Sequence, residues 1–206
     1  MNDADLAPYL AASRWIDWRD PAVSEQAGRL AAGLAGDEAI ATACFAFVRD
    51  EIRHSADFRL NPVTCAASAV LAWRTGYCYA KSHLLAALLR ANGIPAGLCY
   101  QRLSIGNDGP PYCLHGLNAV HLRRHGWYRI DARGNKPGVD ARFAPPRERL
   151  AFPARQPGEA DLPGIHAEPL PQVVAVLTTA ADYAAVLAGL PDAEDCVSPV
   201  PTADWR

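Results

Sequence analysis

Apolar residues recur every three or four positions over roughly the first 90 residues, a spacing typical of amphipathic helices. Proline, glycine and capping residues divide this stretch into separate segments. Asp37 and Thr64 can accept hydrogen bonds from the first free N–H groups of a helix, and Gly76 can end one. The pattern therefore predicts four helices, over residues 21–34, 37–52, 65–74 and 78–91.

The pattern changes after Pro95. A strand is predicted over 96–103, a β-hairpin over 115–123 and 127–132, an irregular surface segment over 137–171, a short strand over 173–177 and a helix over 180–190. Helices followed by antiparallel strands indicate an α+β fold. We predict one domain over residues 1–190, with its core at about 37–135, and a poorly ordered tail over 191–206.

The composition is that of an ordinary globular protein. Of the 206 residues, 50% are hydrophobic and 20% are charged, and the formal net charge is -2. Because there is no basic bias, we expect neither nucleic acid nor a membrane surface as a partner. No stretch reaches the ~18 uninterrupted apolar residues of a transmembrane helix, and the N-terminus lacks the pattern of a secretion signal. The oligomeric state is left open.

The cysteines are scattered along the chain instead of forming the dense pattern of a disulfide framework. They stand at positions 44, 65, 78, 99, 113 and 196. We therefore expect reduced thiols and a cytoplasmic protein.

Cys78 is the candidate nucleophile. In the segment TGYCYAKSHLL, Gly76 allows a sharp turn, and Cys78 then falls in the first turn of a predicted helix. Free N–H groups and the helix dipole stabilise negative charge at that position, and the thiolate is the reactive form of cysteine. The Cys78 N–H would also point at an oxyanion formed by attack on a carbonyl. The alternative is that Cys78 is a small buried hydrophobic residue.

His115 and Asp131 are the candidate base and its orienting carboxylate. A three-residue hairpin loop, with Gly126 in a bulge, would place Asp131 opposite Leu117 and on the same face as His115. A loop one residue shorter or longer would put the two side chains on opposite faces. Alternatively, His115 is an ordinary strand histidine and Asp131 makes a local turn.

Three motifs together resemble the transglutaminase-like superfamily: GYC with the helix end ALLRANGIPA, then H-x-x-N-x-V-x-L, then GWYRID. The resemblance covers about residues 65–135. It implies a papain-like core in which the cysteine helix packs on an antiparallel sheet, with Cys78, His115 and Asp131 at the catalytic positions. Leu117 stands where the family often has Trp, and no upstream Trp is clearly placed as a second oxyanion donor.

The resemblance implies acyl transfer on amide, peptide or isopeptide bonds of a protein or peptide-like substrate, without a cofactor. Hydrolysis is favoured over transamidation by analogy with the family. The alternative is a non-catalytic binding or scaffolding module on the same fold.

Four further residues are candidates for the substrate cleft or its support. Tyr79 could shape the cleft or pack in the core, and Gln101 could donate to a substrate carbonyl or be a sheet-edge amide. His54 could face the cleft or interact with a helix end, where a cation suits the dipole. Asn118 lies among the polar residues of the hairpin and could support the site.

A zinc site is the competing use of the cysteine and histidine side chains. Its ligands would come from Cys78, His83, Cys99, Cys113, His115 and His121. The chain has no Cys-x-x-Cys pair, so we expect no metal. His83 lies five residues after Cys78, about 140° around the helix, and is therefore expected to point away from the thiol.

Overall fold

A four-stranded antiparallel sheet packs against a group of helices in the computed structural model, which describes residues 3–106 and 109–195. The helices in these ranges are α1 (Asp3–Leu6), α2 (Pro21–Ala31), α3 (Asp37–Glu51), α4 (Ser55–Phe58), α5 (Ala67–Trp73), α6 (Cys78–Ala91), α7 (Pro171–Thr179) and α8 (Tyr183–Ala188), with 3-10 turns at Ala7–Tyr9 and Ala193–Asp195. The strands are β1 (Arg53–His54), β2 (Thr75–Gly76), β3 (Ala96–Ser104), β4 (Tyr112–Leu122), β5 (Gly126–Ile130) and β6 (Ala160–Asp161). The predicted α+β class is confirmed.

The sheet has the strand order β5-β4-β3-β6, with antiparallel neighbours throughout. β4 is the longest strand and lies between β3 and β5, with residues 112–120 paired to β3 and residues 118–122 paired to β5. A separate short parallel pair joins β1 to β2, with His54 opposite Gly76. This pair brings the chain after α3 beside the chain that enters α6.

α6 is the central helix of the fold. Every residue of it except Ala91 is buried, because α2, α3 and α5 pack around it on one side and β3 and β4 on the other. A helix surrounded in this way has no solvent-facing stripe, which accounts for its leucine-rich and alanine-rich sequence. Its bounds are those predicted from the sequence. The main hydrophobic cluster reaches from Ile16 to Val186, beyond both ends of the core predicted at about 37–135.

Buried cations on α6 hydrogen-bond to carbonyl groups of neighbouring segments. The Lys81 Nζ donates to the carbonyl of Ile52, just past the end of α3, and lies 3.5 Å from the carbonyl of Arg49. At the other end of the helix, the Arg90 guanidinium donates to the carbonyls of Ala11, Ala96 and Ala167 at 2.8, 3.0 and 2.7 Å. Through these bonds α6 is attached to the N-terminal segment, to β3 and to the loop before α7.

The region over 173–177 was predicted as a strand, and this prediction was wrong, since the residues lie in α7. Pro171 occupies the first turn of that helix, where its missing N–H has no cost. Val173 and Leu177, four residues apart, are buried, so helical spacing puts the apolar side chains against the core. The β-branched composition of the run had favoured a strand.

Several helix ends also differ from the prediction. α2 ends at Ala31, three residues before Leu34. α5 begins at Ala67 instead of Cys65, and Thr64 does not cap it, because its hydroxyl donates instead to the carbonyl of Thr75. α8 begins at Tyr183, where the Asp182 side chain accepts the N–H of Ala185.

The beginning of the predicted tail is held against the sheet. The Pro191 carbonyl accepts the N–H of Leu114 at 2.7 Å, and Asp192 forms an ion pair with Arg102. The poor order predicted from residue 191 stays a prediction, and residues 196–206 lie outside the described part of the chain. Within the described ranges, no helix has the length and apolar character needed to cross a bilayer.

Candidate active site

Cys78 is the first residue of α6. The chain reaches it through β2 and Tyr77, whose extended backbone (φ -66°, ψ 166°) precedes the helix. Gly76 makes this tight approach possible, because a Cβ there would lie 3.1 Å from the Ala80 Cβ and 3.2 Å from the Thr64 Oγ1. The Cys78 side chain thus lies at the positive end of the central helix, where a thiolate is stabilised.

His115 and Asp131 are joined by a buried hydrogen bond of 2.8 Å between the His115 Nε2 and the Asp131 Oδ2. The carboxylate also accepts the backbone N–H groups of Arg133 at 3.0 Å and of Ala151 at 3.1 Å. Asp131 is therefore fully paired although it is buried, and it fixes the orientation of the imidazole.

The predicted hairpin register brings these two side chains together. Leu122 pairs with Gly126, which leaves a three-residue loop, and Gly126 has the positive φ of 67° that suits glycine. Asn118 pairs with Ile130, the last residue of β5, and Asp131 follows directly after this pair.

The Cys78 sulfur lies close to both His115 and Gly116. Since the His115 Nε2 is used by Asp131, the Nδ1 is the ring nitrogen left for the thiol. The backbone N–H of Gly116 donates to the Cys78 Sγ at 3.5 Å. A Cβ at position 116 would lie 2.9 Å from the Tyr79 Cδ1, so glycine is what lets β4 come this close to the start of α6.

The charges of the site favour a protonated His115. Burial acts to lower the pKa of His115, but the Asp131 carboxylate and the Cys78 sulfur outweigh it and raise the pKa to about 10. Burial likewise acts to raise the pKa of Asp131, but His115 and the two backbone N–H groups lower it below its usual value. The geometry can therefore hold an imidazolium at His115, with an ionised carboxylate behind it, beside the Cys78 sulfur.

A cleft of about 750 Å³ opens onto Cys78 and His115. One part of its lining is charged, with Asp57 bound by both Arg133 and Lys136. Another part is apolar and comes from the ends of β3 and α8 and the residues that follow them: Leu103, Ile105, Leu187 and Leu190. A substrate chain with both apolar and polar groups fits such a surface.

Two of the four further candidates lie at the cleft. Tyr79 lines it, but its side chain is buried and its hydroxyl donates to the Leu114 carbonyl. His54 also lines it, and its ring meets the Tyr77 ring edge-on at 5.4 Å between centroids.

Gln101 and Asn118 are buried beside the site and do not line the cleft. Gln101 pairs with His115 across the sheet, and its amide donates to the Phe152 carbonyl at 3.1 Å and to the Asp161 Oδ1 at 2.8 Å. Asn118 donates to the carbonyls of Ser82 at 2.9 Å and Gly97 at 3.2 Å. The contacts seen for Gln101 are thus structural, and its contact with substrate stays a prediction.

Sequence reasoning missed three residues at the site. Phe152 packs edge-on against the His115 ring at 5.2 Å, and Ala151 donates to Asp131. Both lie in the irregular segment, where no periodic signal marks them. Gly116 could have been noticed, because a glycine inside a strand often marks a close backbone approach.

His83 points away from the thiol, as expected, since its Nδ1 hydrogen-bonds the Cys65 carbonyl at 2.8 Å. Within residues 3–106 and 109–195, no group of three His, Cys, Asp or Glu residues is arranged to hold a metal ion. The cysteines at 44, 65, 78, 99 and 113 are unpaired. Cys196 lies outside the described residues.

Known structures share this fold over about two thirds of the chain. The "Putative Cysteine Protease" of Cytophaga hutchinsonii is 20% identical, with a TM-score of 0.53 over 64% of this chain and 43% of its own. The periplasmic domain of TgpA from Pseudomonas aeruginosa is 22% identical, with a TM-score of 0.49 over 64% of this chain and 48% of its own. This chain thus spans less than half the length of either of those chains, and the likeness to the first concerns the fold alone.

No curated protein matches the chain significantly. Residues 24–132, just over half of the sequence, match the model of the transglutaminase-like superfamily. This match includes the cysteine helix, the histidine strand and the aspartate that follows β5. The chain belongs to the transglutaminase-like superfamily.

Proposed function

We propose that this protein is a cysteine-nucleophile enzyme that cleaves amide bonds, either peptide or isopeptide, in a protein or peptide-like substrate. Cys78 is the nucleophile, His115 the acid–base residue and Asp131 the carboxylate that orients it. The observation that supports this most strongly is the position of the His115 ring, between the Asp131 carboxylate and the Cys78 thiol at the start of α6. No cofactor is required by this chemistry.

The reaction proceeds in two halves. The Cys78 thiolate attacks the carbonyl carbon, and the negative charge moves to the carbonyl oxygen, towards the backbone N–H of Cys78. The C–N bond then breaks as His115 gives its proton to the leaving amine, which leaves a thioester on Cys78. Water attacks the thioester while His115 takes its proton, and a carboxylic acid and the free thiol are released.

Hydrolysis is preferred here to transamidation. Water needs no binding site of its own, whereas an amine acceptor must be bound and held at the thioester. The two outcomes can be separated by mixing a peptide amide substrate with a large excess of methylamine. The free acid is the expected product, and a dominant N-methyl amide would show that transamidation is the reaction instead.

Acylation of Cys78 by p-nitrophenyl acetate tests the nucleophile directly. Intact-mass measurement of the wild-type protein should find one acetyl group on Cys78, and Cys78→Ala should carry none. Cys113→Ser is the matched control, because Cys113 lines the same cleft and should not be needed. His115→Ala should lower the acylation rate by about 10²–10⁴-fold, the usual range for a general acid–base residue.

The alternative is a non-catalytic binding module on the same fold. It would be favoured if Cys78→Ala and wild type were acylated equally, or if His115→Ala left the rate unchanged. The cytoplasmic location expected from the scattered cysteines stays a prediction, which cell fractionation would test.

A further inference from the structure

His54 lies beside the point where the chain enters the catalytic helix. β1 runs parallel to β2, and the register puts His54 opposite Gly76, two residues before Cys78. The His54 ring packs edge-on against Tyr77, and both side chains line the cleft that contains Cys78 and His115. His54 therefore shares the cleft with the sulfur that would attack a substrate carbonyl.

The ring of His54 has an unsatisfied hydrogen-bonding atom. The side chain is only 8% exposed, and its Nδ1 is shielded from solvent without a hydrogen-bond partner among the described residues. The nearest carboxylate oxygen, the Asp57 Oδ2, is 3.9 Å away and is occupied by Arg133. Burying a polar nitrogen unpaired is unfavourable, and one reason to retain it is a partner that arrives with the substrate.

The charges around His54 keep its imidazole neutral. Burial lowers the pKa of His54 well below 6.5, and the Arg133, Lys81 and His115 cations lower it further, against an opposing effect of Asp57. A neutral imidazole has one N–H to donate and does not compete with His115 for the catalytic proton. Neutral imidazoles are used in other enzymes to polarise a substrate carbonyl.

We propose that His54 is a further catalytic residue, which donates a hydrogen bond from its ring to the substrate carbonyl oxygen as Cys78 attacks. It would act with the backbone N–H of Cys78, so that the developing oxyanion has two donors. The sequence offers no tryptophan clearly placed for this second position. This inference rests on the proposed acyl transfer at Cys78.

The test compares two reagents that attack the same sulfur. Acylation by p-nitrophenyl acetate passes through an oxyanion, whereas alkylation by iodoacetamide displaces iodide from a methylene carbon and forms none. His54→Leu should lower the acylation rate by about 10²–10³-fold, the usual effect of losing one oxyanion donor. Its iodoacetamide rate should stay within about threefold of wild type, because the thiol and His115 are unchanged.

Two amide variants keep the test informative and identify the donor atom. His54→Asn places an N–H near the position of Nδ1, and His54→Gln places one near Nε2. At least one of them should acylate about tenfold or more faster than His54→Leu. His121→Leu is the matched control, because His121 also packs edge-on against an aromatic ring, Trp127, but lies outside the cleft.

The outcomes separate this inference from the proposed function. Unchanged acylation in His54→Leu, or an equal loss of both reactions with no rescue by either amide, would overturn the role of His54 while Cys78 remains the nucleophile. Acylation that persists in Cys78→Ala would instead overturn the proposed function itself. Thermal unfolding of each variant confirms that the rates are measured on folded protein.

Discussion

Asp131 suits the proposed chemistry because its buried carboxylate is fully paired. It accepts one side-chain and two backbone hydrogen bonds, and its side chain has no exposed surface. A buried carboxylate without such partners would tend to be protonated. Ionised Asp131 both orients the His115 ring and stabilises its cationic form, so the effect of the carboxylate should be visible in the pH dependence of the reaction.

Replacing Asp131 with Asn should lower the acylation rate by about 10²–10⁴-fold, because the ring loses its charged partner and its preferred tautomer. As the pH is raised, the variant should also lose activity earlier than wild type, at a lower pH. Burial lowers the pKa of His115, and Asp131 is the foremost influence that raises it to about 10. A raised pKa means that the wild-type ring keeps its proton up to about pH 10, and removing the carboxylate lowers that limit.

Rate–pH profiles of acylation for the two proteins would measure this shift. Asp140→Asn is the control, because Asp140 is exposed and pairs with the surface residue Arg142. If the acylation rate fell at the same alkaline pH in wild type and in Asp131→Asn, the role given to the carboxylate would be contradicted.

The central residues of the site could be predicted from the sequence, but their support could not. Gly76 and Cys78 are adjacent to a helix start, and the meeting of His115 with Asp131 depends on a hairpin loop that can be counted. Phe152 and Ala151 reach the site from an irregular segment about 20 residues beyond Asp131. No periodic pattern in that segment indicates which residue turns towards the sheet.

At the level of secondary-structure elements, the most accurate predictions were those in which particular residues mark both ends of the segment. α6 begins just after Gly76 and ends before Asn92-Gly93, and its bounds are as predicted. α7 was assigned to the wrong class because a short apolar run reads equally well as a buried strand or a helix. Only packing against the core decides such a case, and packing is not visible in a single short window.

Lys81 connects α6 to the end of α3, and its replacement by Met should destabilise the protein. The variant would leave the Ile52 carbonyl, and in part that of Arg49, without their buried donor. Each buried group left unsatisfied costs about 1–3 kcal/mol, so we expect a loss of about that size in the free energy of unfolding. Urea titration measures it, and exposed Arg29→Met on α2 provides the control.

The effect of Lys81→Met should grow with pH. Burial, with Arg133, lowers the pKa of Lys81 to about 7. Between about pH 7 and pH 10 the unfolded chain therefore binds a proton that the folded chain does not, so the contribution of Lys81 to stability rises with pH. The contribution of His115 to stability is expected to fall with pH, but it is present in both wild type and Lys81→Met. Subtracting their free energies of unfolding therefore removes it. If the difference in free energy of unfolding between wild type and Lys81→Met became smaller at alkaline pH, this account would be contradicted.

On the scale of the whole molecule, the segment between β5 and α7 is what encloses the site. It supplies Ala151 to Asp131 and Phe152 to His115, and Gln101 holds it through the Phe152 carbonyl. Glu159, further along, accepts hydrogen bonds from Ser104 at the edge of the cleft. The sequence predicted this segment only as an irregular surface region, because its contacts join positions far apart in the chain.

Arg90 links three distant parts of the molecule, and its replacement tests whether stability and chemistry can be separated. Arg90→Met would leave the carbonyls of Ala11, Ala96 and Ala167 without their buried donor. Only the bond to Ala96 is fully buried, and the carbonyls of Ala11 and Ala167 can turn to water, so we expect a loss of about 1–3 kcal/mol in the free energy of unfolding. Arg90→Lys, which retains a charge and some donors, should lose less.

The same variant should leave the chemistry of the folded protein intact. Arg90 and Cys78 are at opposite ends of α6, about 18 Å apart at 1.5 Å per residue. Acylation measured well below the unfolding temperature should therefore stay near the wild-type rate, while urea unfolding shifts to much lower concentration. If acylation instead fell in step with stability, the position of Cys78 would depend on the far end of the helix, and α6 could not be treated as a rigid support for the nucleophile.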